Sequence, residues 1–554
     1  MTATSNDGTT QMSSGRPKLH GRAFYESIGS PKFIVAPMVD QSEFAWRMLT
    51  RSFLPPSERS SILAYSPMLH ARLFAESQKY RDSHFQPTRV GIPSPDAPPA
   101  STASPPSADA APYLDGNPAI DRPLFVQFCA NDPTALLSAA QLVAPHCDAV
   151  DLNLGCPQGI ARKGHYGAFL QEDQELIYKL IRTLHEALPV PVTAKIRILE
   201  TREATLAYAR NVLAAGASIL TVHGRRREQK GHMTGLADWS YIRFLRDSLP
   251  PETVIFANGN ILQHGDLEAC LEATGADGVM SAEGNLSDPA LFAPAPAVGE
   301  EGREYWRGRD GRGGWRVDAV FRRYLDIMHK YVLDQEPPAR RPLFMPGDST
   351  DWLQARAEPE GEEEGPARKK RRKESGKNAS GSLSPNIGPM QPHLFHMLRH
   401  FVSKHTDVRD ALARARSGDV NKYEKLLDMV ERKVAEGLIE YERTDGKSVE
   451  ETEAADGAKN GEAPVGSDEV ENDTESSVQT VKKCKRPWWV IQPIVRPLPK
   501  EAMAKGAIQI KKKDREKLEA ETQQKPETTS SQQSETTADL ERKTSFPASE
   551  LVSG

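Results

Sequence analysis

Cysteine is scarce in this sequence: five in 554 residues, at positions 129, 147, 156, 270 and 484. No two form a CxxC pair, which argues against a disulfide framework and against a cysteine-built zinc site. No apolar run approaches the roughly 20 residues that a membrane-spanning helix needs. The first twenty residues, MTATSNDGTTQMSSGRPKLH, lack the apolar stretch of a secretory leader. A reducing compartment and no membrane attachment are therefore expected. A dominant charge is also missing: the net of -5 averages strong blocks of both signs, so the total identifies no partner. Only 38% of residues are hydrophobic and 42 are proline, so part of the chain should be unable to bury a core.

What is present is a series of eight short, apolar, β-branched segments: KFIVAPMV (32–39), SILAYSPML (61–69), PLFVQFC (123–129), AVDLNLG (149–155), PVTAKIRI (191–198), SILTVHG (218–224), TVIFANGN (253–260) and GVMSAEG (278–284). Stretches of helical periodicity lie between most of them, with Asp132, Thr201 and Asp266 placed as candidate caps. Repeated strand–helix alternation implies a parallel sheet with right-handed crossovers, and eight units over this length fit a closed (β/α)8 TIM barrel, an α/β fold. An open doubly wound sheet would want GxGxxG after its first strand, and APMVDQSEF has none.

The expected organisation is a disordered tail over 1–29 and the barrel over 30–340. The third strand starts 62 residues after the second (61 to 123), against 26 from the third to the fourth (123 to 149). The excess is Pro/Ala/Ser-rich and reads as a disordered insertion over 90–121. A charged linker follows over 341–390. A small helical domain is expected over 391–440, where Leu394, Leu398, Phe401 and Val402 mark one apolar stripe and Leu426, Leu427, Val430 and Val434 another. Then come an acidic disordered stretch (441–483), an aromatic and basic segment expected to pack on something ordered (484–500), and a disordered tail (501–554). The run RKKRRK (368–373) reads as a nuclear address, giving a nuclear or cytoplasmic location. His393, His396 and His400 have helical metal-ligand spacing, but no carboxylate or cysteine completes a set and no metal is expected. A monomer is the expectation for assembly.

Working residues of such barrels lie where the strands end. Those ends carry Pro37, Met38 and Val39, then Gln127, then Asn153 with Cys156. Further along come Lys195 with Arg197, His223 with Arg225, Asn258-Gly259-Asn260, and Ala282-Glu283-Gly284. Each alone has an ordinary structural reading. Gathered at one end of successive strands they favour a cofactor pocket, with glycines that let backbone N–H groups approach an anion.

DLNLGCPQ followed by GHYGAFL, with TAKIR, TVHGR, FANGN and GVMSAEG in that order, resembles the dihydrouridine synthases, FMN-dependent enzymes that reduce uridine in tRNA. The GHYGAFLQ and GVMSAEGNL wording is most similar to the eukaryotic type acting on D-loop uridines 16 and 17. The resemblance covers about residues 30–295 strongly and 391–438 weakly. It implies that reduced FMN, recharged by NADPH or NADH, gives a hydride to one carbon of the C5–C6 bond. Cys156 would give the proton to the other, since an ordinary thiol is largely protonated at neutral pH. It implies that Pro37, Met38 and Val39 line the flavin face and Gln127 bonds its edge. Lys195 would sit by the pyrimidine part of the ring, His223 would contact the cofactor, and Asn258, Gly259, Asn260, Ala282 and Glu283 would surround the phosphate. Asn153 and Arg197 would face the uracil. Many family members have Gly-Arg where this chain has Ala282-Glu283, so backbone N–H contact is expected there.

Arg162, Lys163 and His165, just after Cys156, are candidates for gripping the phosphates of a tRNA whose target base has left its stack. Two rival readings remain. A small-pyrimidine oxidoreductase of the dihydroorotate dehydrogenase type would need no tRNA, and a non-catalytic tRNA-binding protein would tolerate loss of Cys156.

Overall fold

The computed structural model describes residues 18–92, 110–230, 234–354, 384–415, 418–449 and 486–494. Eight parallel strands form a closed barrel: β1 (Phe33–Val35), β2 (Ile62–Tyr65), β3 (Leu124–Cys129), β4 (Ala149–Leu154), β5 (Val192–Arg197), β6 (Ile219–His223), β7 (Val254–Asn258) and β8 (Gly278–Ser281). Neighbours in sequence pair side by side. Pairing of β1 with β8 (Val35 opposite Ser281) and of β2 with β3 (Ala64 opposite Leu124) completes the ring. Nearly every strand residue is buried, as a strand covered on both faces requires, which is why these segments read as continuous apolar runs rather than alternating ones.

Helix starts follow side-chain caps. The Asp132 carboxylate accepts from the N–H of Thr134, and Thr201 Oγ1 from that of Ala204. Asp266 is not a cap. The helix begins at Gly265, and the Asp266 carboxylate instead accepts from Leu262 and Gln263 N–H, closing the turn before it.

The insertion expected over 90–121 needs correction at its end. Residues 110–121 are folded, with Asp115 and Asp121 buried against Arg47 and Arg51. The Asp121 carboxylate accepts from Arg47 at 2.5 Å and Arg51 at 2.6 Å, and Asp115 from Arg47 at 2.7 Å. Two cations and two anions compensate one another there, which makes burial of all four tolerable. Charged residues in a stretch poor in aliphatics resemble solvated chain, and their partners here lie some seventy residues away.

The boundary expected at 340 cuts through packed structure. The Val317–Ile327 helix lies against the long Val420–Arg443 helix, and the ion pair Arg322–Glu431 crosses between them, while Arg340, after the first helix, pairs with Glu424 of the second. Shorter helices Met390–Met397, Arg399–Lys404 and Thr406–Arg414 complete this region. Buried Trp489 packs on it, and Gly437 leaves the room: a Cβ there would meet the ring of Trp488 at 2.6 Å. The runs at 358–365 and 368–373, residues 450–483 and the tail 501–554 lie outside the described residues. Two stretches expected to be disordered are folded at one end: helix Gly21–Ser27 buries Phe24 and Tyr25 within 1–29, and the Val420–Arg443 helix runs past 440 and buries Tyr441. Among the described residues, no helix is long and apolar enough to cross a membrane, and no group of three or more His, Cys, Asp or Glu could hold a metal ion.

Candidate active site

Strand β4 stops at Leu154, and Gly155-Cys156-Pro157 leaves the barrel at its C-terminal end. Three side chains hold that turn. Asn153 Oδ1 accepts from the N–H of Gly155 at 3.1 Å and of Cys156 at 2.9 Å. Arg197 Nε donates to Gly155 O at 2.7 Å, and Lys230 Nζ to Pro157 O at 2.7 Å. Gly167, at φ +65°, lets the returning chain pass: a Cβ there would lie 2.8 Å from Cys156 O. Cys156 itself is half-buried among Met68, Phe169, Tyr166 and Cys129. Burial pushes the Cys129 thiol up to about 12, leaving it an inert neighbour.

Below the turn, polar groups replace the apolar filling. Gln127 Oε1 accepts from Asn153 Nδ2 at 2.8 Å, and Gln127 Nε2 donates to Asp151 Oδ2 at 2.8 Å. The other Asp151 oxygen accepts from Thr193 Oγ1 at 2.6 Å. Burial raises this carboxyl to about 6, against the pull of Thr193, Gln127 and Lys195. Lys195 Nζ donates to Asn258 Oδ1 at 2.9 Å. Burial, helped by the charge of Arg197, lowers Lys195 to about 7. A buried amine so poised gains from any anion placed beside it.

A cavity of about 240 Å3 opens at the ends of β5 to β8, lined among others by Arg197, His223, Arg225, Asn258, Ser281 and Glu283. His223 Nε2 lies 3.0 Å from Arg225 Nη1, and Arg225 Nη2 donates to Asn260 Oδ1 at 2.7 Å. Gly259, at φ +113°, has no room for a side chain: a Cβ would stand 2.6 Å from that of Ala237.

The expected residues do not all converge. His223, Gly259, Asn260, Ala282 and Glu283 line the cavity. Asn258 lines it too, but its amide is committed to Lys195 and to Met280 O. Arg197 also lines the cavity, and its guanidinium braces the Gly155 and Arg226 carbonyls as well. Pro37 and Met38 are half-buried and Val39 is 56% exposed. Val39 lines a second cavity, of about 540 Å3, with Asp40, His84 and Ser384. Arg162, Lys163 and His165 are at the surface, outside both linings. Asp151 and Thr193, which continue the hydrogen-bond chain below Gln127, are residues that sequence reasoning misses. A charged residue in mid-strand AVDLNL is the available signal. Arg225 stands out in the sequence only as a strand-end residue, without a role.

An FMN-type cofactor fits what is here: a cation and a close-approach glycine at one end of the cavity, and a buried amine and carboxamides toward Cys156. Such a mouth, with a braced cysteine over polar barrel filling, defines a (β/α)8-barrel enzyme. Residues 34–307 match the family model for dihydrouridine synthase (Dus). The chain is 45% identical over 396 residues to the tRNA-dihydrouridine(16/17) synthase [NAD(P)(+)] of Saccharomyces cerevisiae, spanning 72% of each chain. To the Schizosaccharomyces pombe protein of that name it is 39% identical over 484 residues, 87% of this chain and 92% of that one. A mouse tRNA-dihydrouridine(20a/20b) synthase [NAD(P)+]-like protein is 34% identical over 263 residues, 47% of this chain and 68% of that one. The chain belongs to the dihydrouridine synthase family.

Proposed function

We propose that this protein reduces D-loop uridines 16 and 17 of tRNA to dihydrouridine, with FMN as resident cofactor and NADPH or NADH as reductant. The observation that carries the reading is the half-buried Cys156, held by Asn153, Arg197 and Lys230 at the mouth of a barrel whose floor is polar. The 16/17 assignment draws on the long match to the two yeast proteins of that name, against a shorter one to the 20a/20b protein.

When bound, FMN supplies the hydride. Arg225, Gly259 and Asn260 would hold its phosphate end and Lys195 its ring, while the buried Gln127 amide is spent on Asn153 and Asp151. Cys156 holds the proton at Sγ and gives it to the base carbon opposite the one that takes the hydride, as charge develops on the neighbouring carbonyl. Lys195, as a cation, stabilises negative charge close by. Arg162, Lys163 and His165, at the surface, are offered to phosphates. The basic run 368–373 is proposed as a nuclear address.

Purified full-length protein should carry a yellow chromophore that NADPH bleaches and tRNA with unmodified uridines restores. Bleaching with no dihydrouridine formed on tRNA would refute the tRNA assignment.

A further inference from the structure

We propose that Asp151, at the floor of the barrel, is a positioning residue for Cys156 that fixes which face of the Asn153 amide meets the base; this rests on the function proposed above. Nothing in the reaction uses Asp151 directly, yet it is wholly buried beneath the reacting thiol.

The two ends of a chain of bonds leave no choice between them. At the top, the backbone N–H groups of Gly155 and Cys156 only donate, so the Asn153 atom that receives both is the oxygen. Asn153 Nδ2 is thereby turned toward Gln127, whose oxygen accepts it at 2.8 Å. Gln127 Nε2 must then point down, and it meets Asp151 Oδ2 at 2.8 Å. At the bottom, an ionised carboxylate only accepts, and the second Asp151 oxygen is held by the Thr193 hydroxyl at 2.6 Å. Strand register supplies the geometry: Gln127 is the partner of Asp151 across β3 and β4, and Thr193 its partner across β4 and β5. Gln127 and Asp151 are fully buried and Asn153 is 8% exposed, so water cannot substitute for a lost partner.

The consequence reaches the mouth. With its oxygen capping the cysteine turn and one hydrogen on Gln127, Asn153 has a single further hydrogen to offer, a donor suited to a uracil carbonyl. Reverse the Gln127 amide and its donor would oppose the Asn153 donor while its oxygen faced the Asp151 carboxylate. Reverse the Asn153 amide and oxygen would oppose oxygen at Gln127, and the turn would lose its cap.

Two near-isosteric changes test the relay in the full-length flavin-loaded protein. Gln127→Glu sets a carboxylate against Asp151. Combining Gln127→Glu with Asp151→Asn restores a consistent chain: the new amide at position 151 donates to the new carboxylate at position 127, which still accepts from Asn153. Two readouts apply: single-turnover dihydrouridine formation on tRNA, and hydrogen exchange at the Gly155 and Cys156 amides. Gln127→Glu should slow formation by about 100-fold and speed exchange by about tenfold. The double variant should return both to within about threefold of wild type, with flavin content unchanged throughout. Should Gln127→Glu fail to fold, recovered folding and exchange in the double variant read the same rescue. A double variant as impaired as the single one, or a single one without effect, overturns the relay. If wild type forms no dihydrouridine, the exchange rates still decide it while the proposed function falls.

Discussion

The side chain of Arg197 donates from Nε to the carbonyl oxygen of Gly155, 2.7 Å away, across the gap between β5 and the turn that carries Cys156. Its Nη1 donates to Arg226 O at 3.0 Å, so one guanidinium ties two loops of the mouth together. A planar fork serves two carbonyls at once, which an ammonium on a flexible stem does not.

Arg197→Lys should therefore keep the flavin and lose precision at the thiol. Turnover on tRNA is expected to fall by about 10- to 100-fold, with flavin content and NADPH bleaching close to wild type. Steady-state kinetics beside flavin spectra check this. Loss of flavin in the lysine variant would mean that Arg197 contacts the cofactor and is no brace.

Cys156→Ala should bind flavin and be bleached by NADPH, yet reduce uridine about 100- to 10,000-fold more slowly, the range typical for a lost general acid. Stopped-flow bleaching and tRNA reduction, measured on one sample, separate the half-reactions. Equal reduction by alanine and wild type would remove Cys156 from the chemistry.

Stability of the flavin-free protein should carry the signature of Lys195. Burial and Arg197 lower its pKa from 10.5 to about 7. An unfolded chain keeps that proton up to pH 10.5, so folding releases it between pH 7 and 10.5. Stability should rise with pH through that window, and the cost of the buried cation is full below about pH 7. Asp151, raised from 3.8 to about 6, acts lower down: folding takes up a proton between those values, and stability falls as pH rises through them. The Tm of wild type should thus climb from about pH 7 to about pH 9 relative to Lys195→Met. Parallel curves would contradict the assignment.

Beneath the Pro37–Val39 turn, His393 Nε2 faces both Glu43 oxygens at 3.0 and 3.1 Å, its ring stacked on Trp46 at 4.1 Å. Both partners are buried, and they join the first barrel helix, Phe44–Arg51, to the helical region. His393→Leu leaves Glu43 buried and alone, at a cost of roughly 3–5 kcal/mol, which urea unfolding measures. Glu43→Gln retains an acceptor and should cost less.

Much of the barrel was legible because a strand buried on both faces must be apolar throughout. Cys156 stood out because Gly-Cys-Pro cannot continue a strand. The bracing by Arg197 was not legible: whether an arginine at a strand end also ties carbonyls depends on where a neighbouring loop passes. The Arg47–Asp121 pairing was hidden for a related reason, since the sequence shows charges but not which distant charge answers them. Gln127 and Asn153 could be named, but the orientation of their amides follows from the register of β3 against β4, which no single strand reveals.

The most direct test is a position-by-position map of dihydrouridine in tRNA from cells lacking this protein, with rescue by wild type and by Cys156→Ala. Loss at positions 16 and 17, restored by wild type and not by the alanine variant, is the predicted result. An unchanged map at both positions, in cells with no second enzyme for them, would contradict the account.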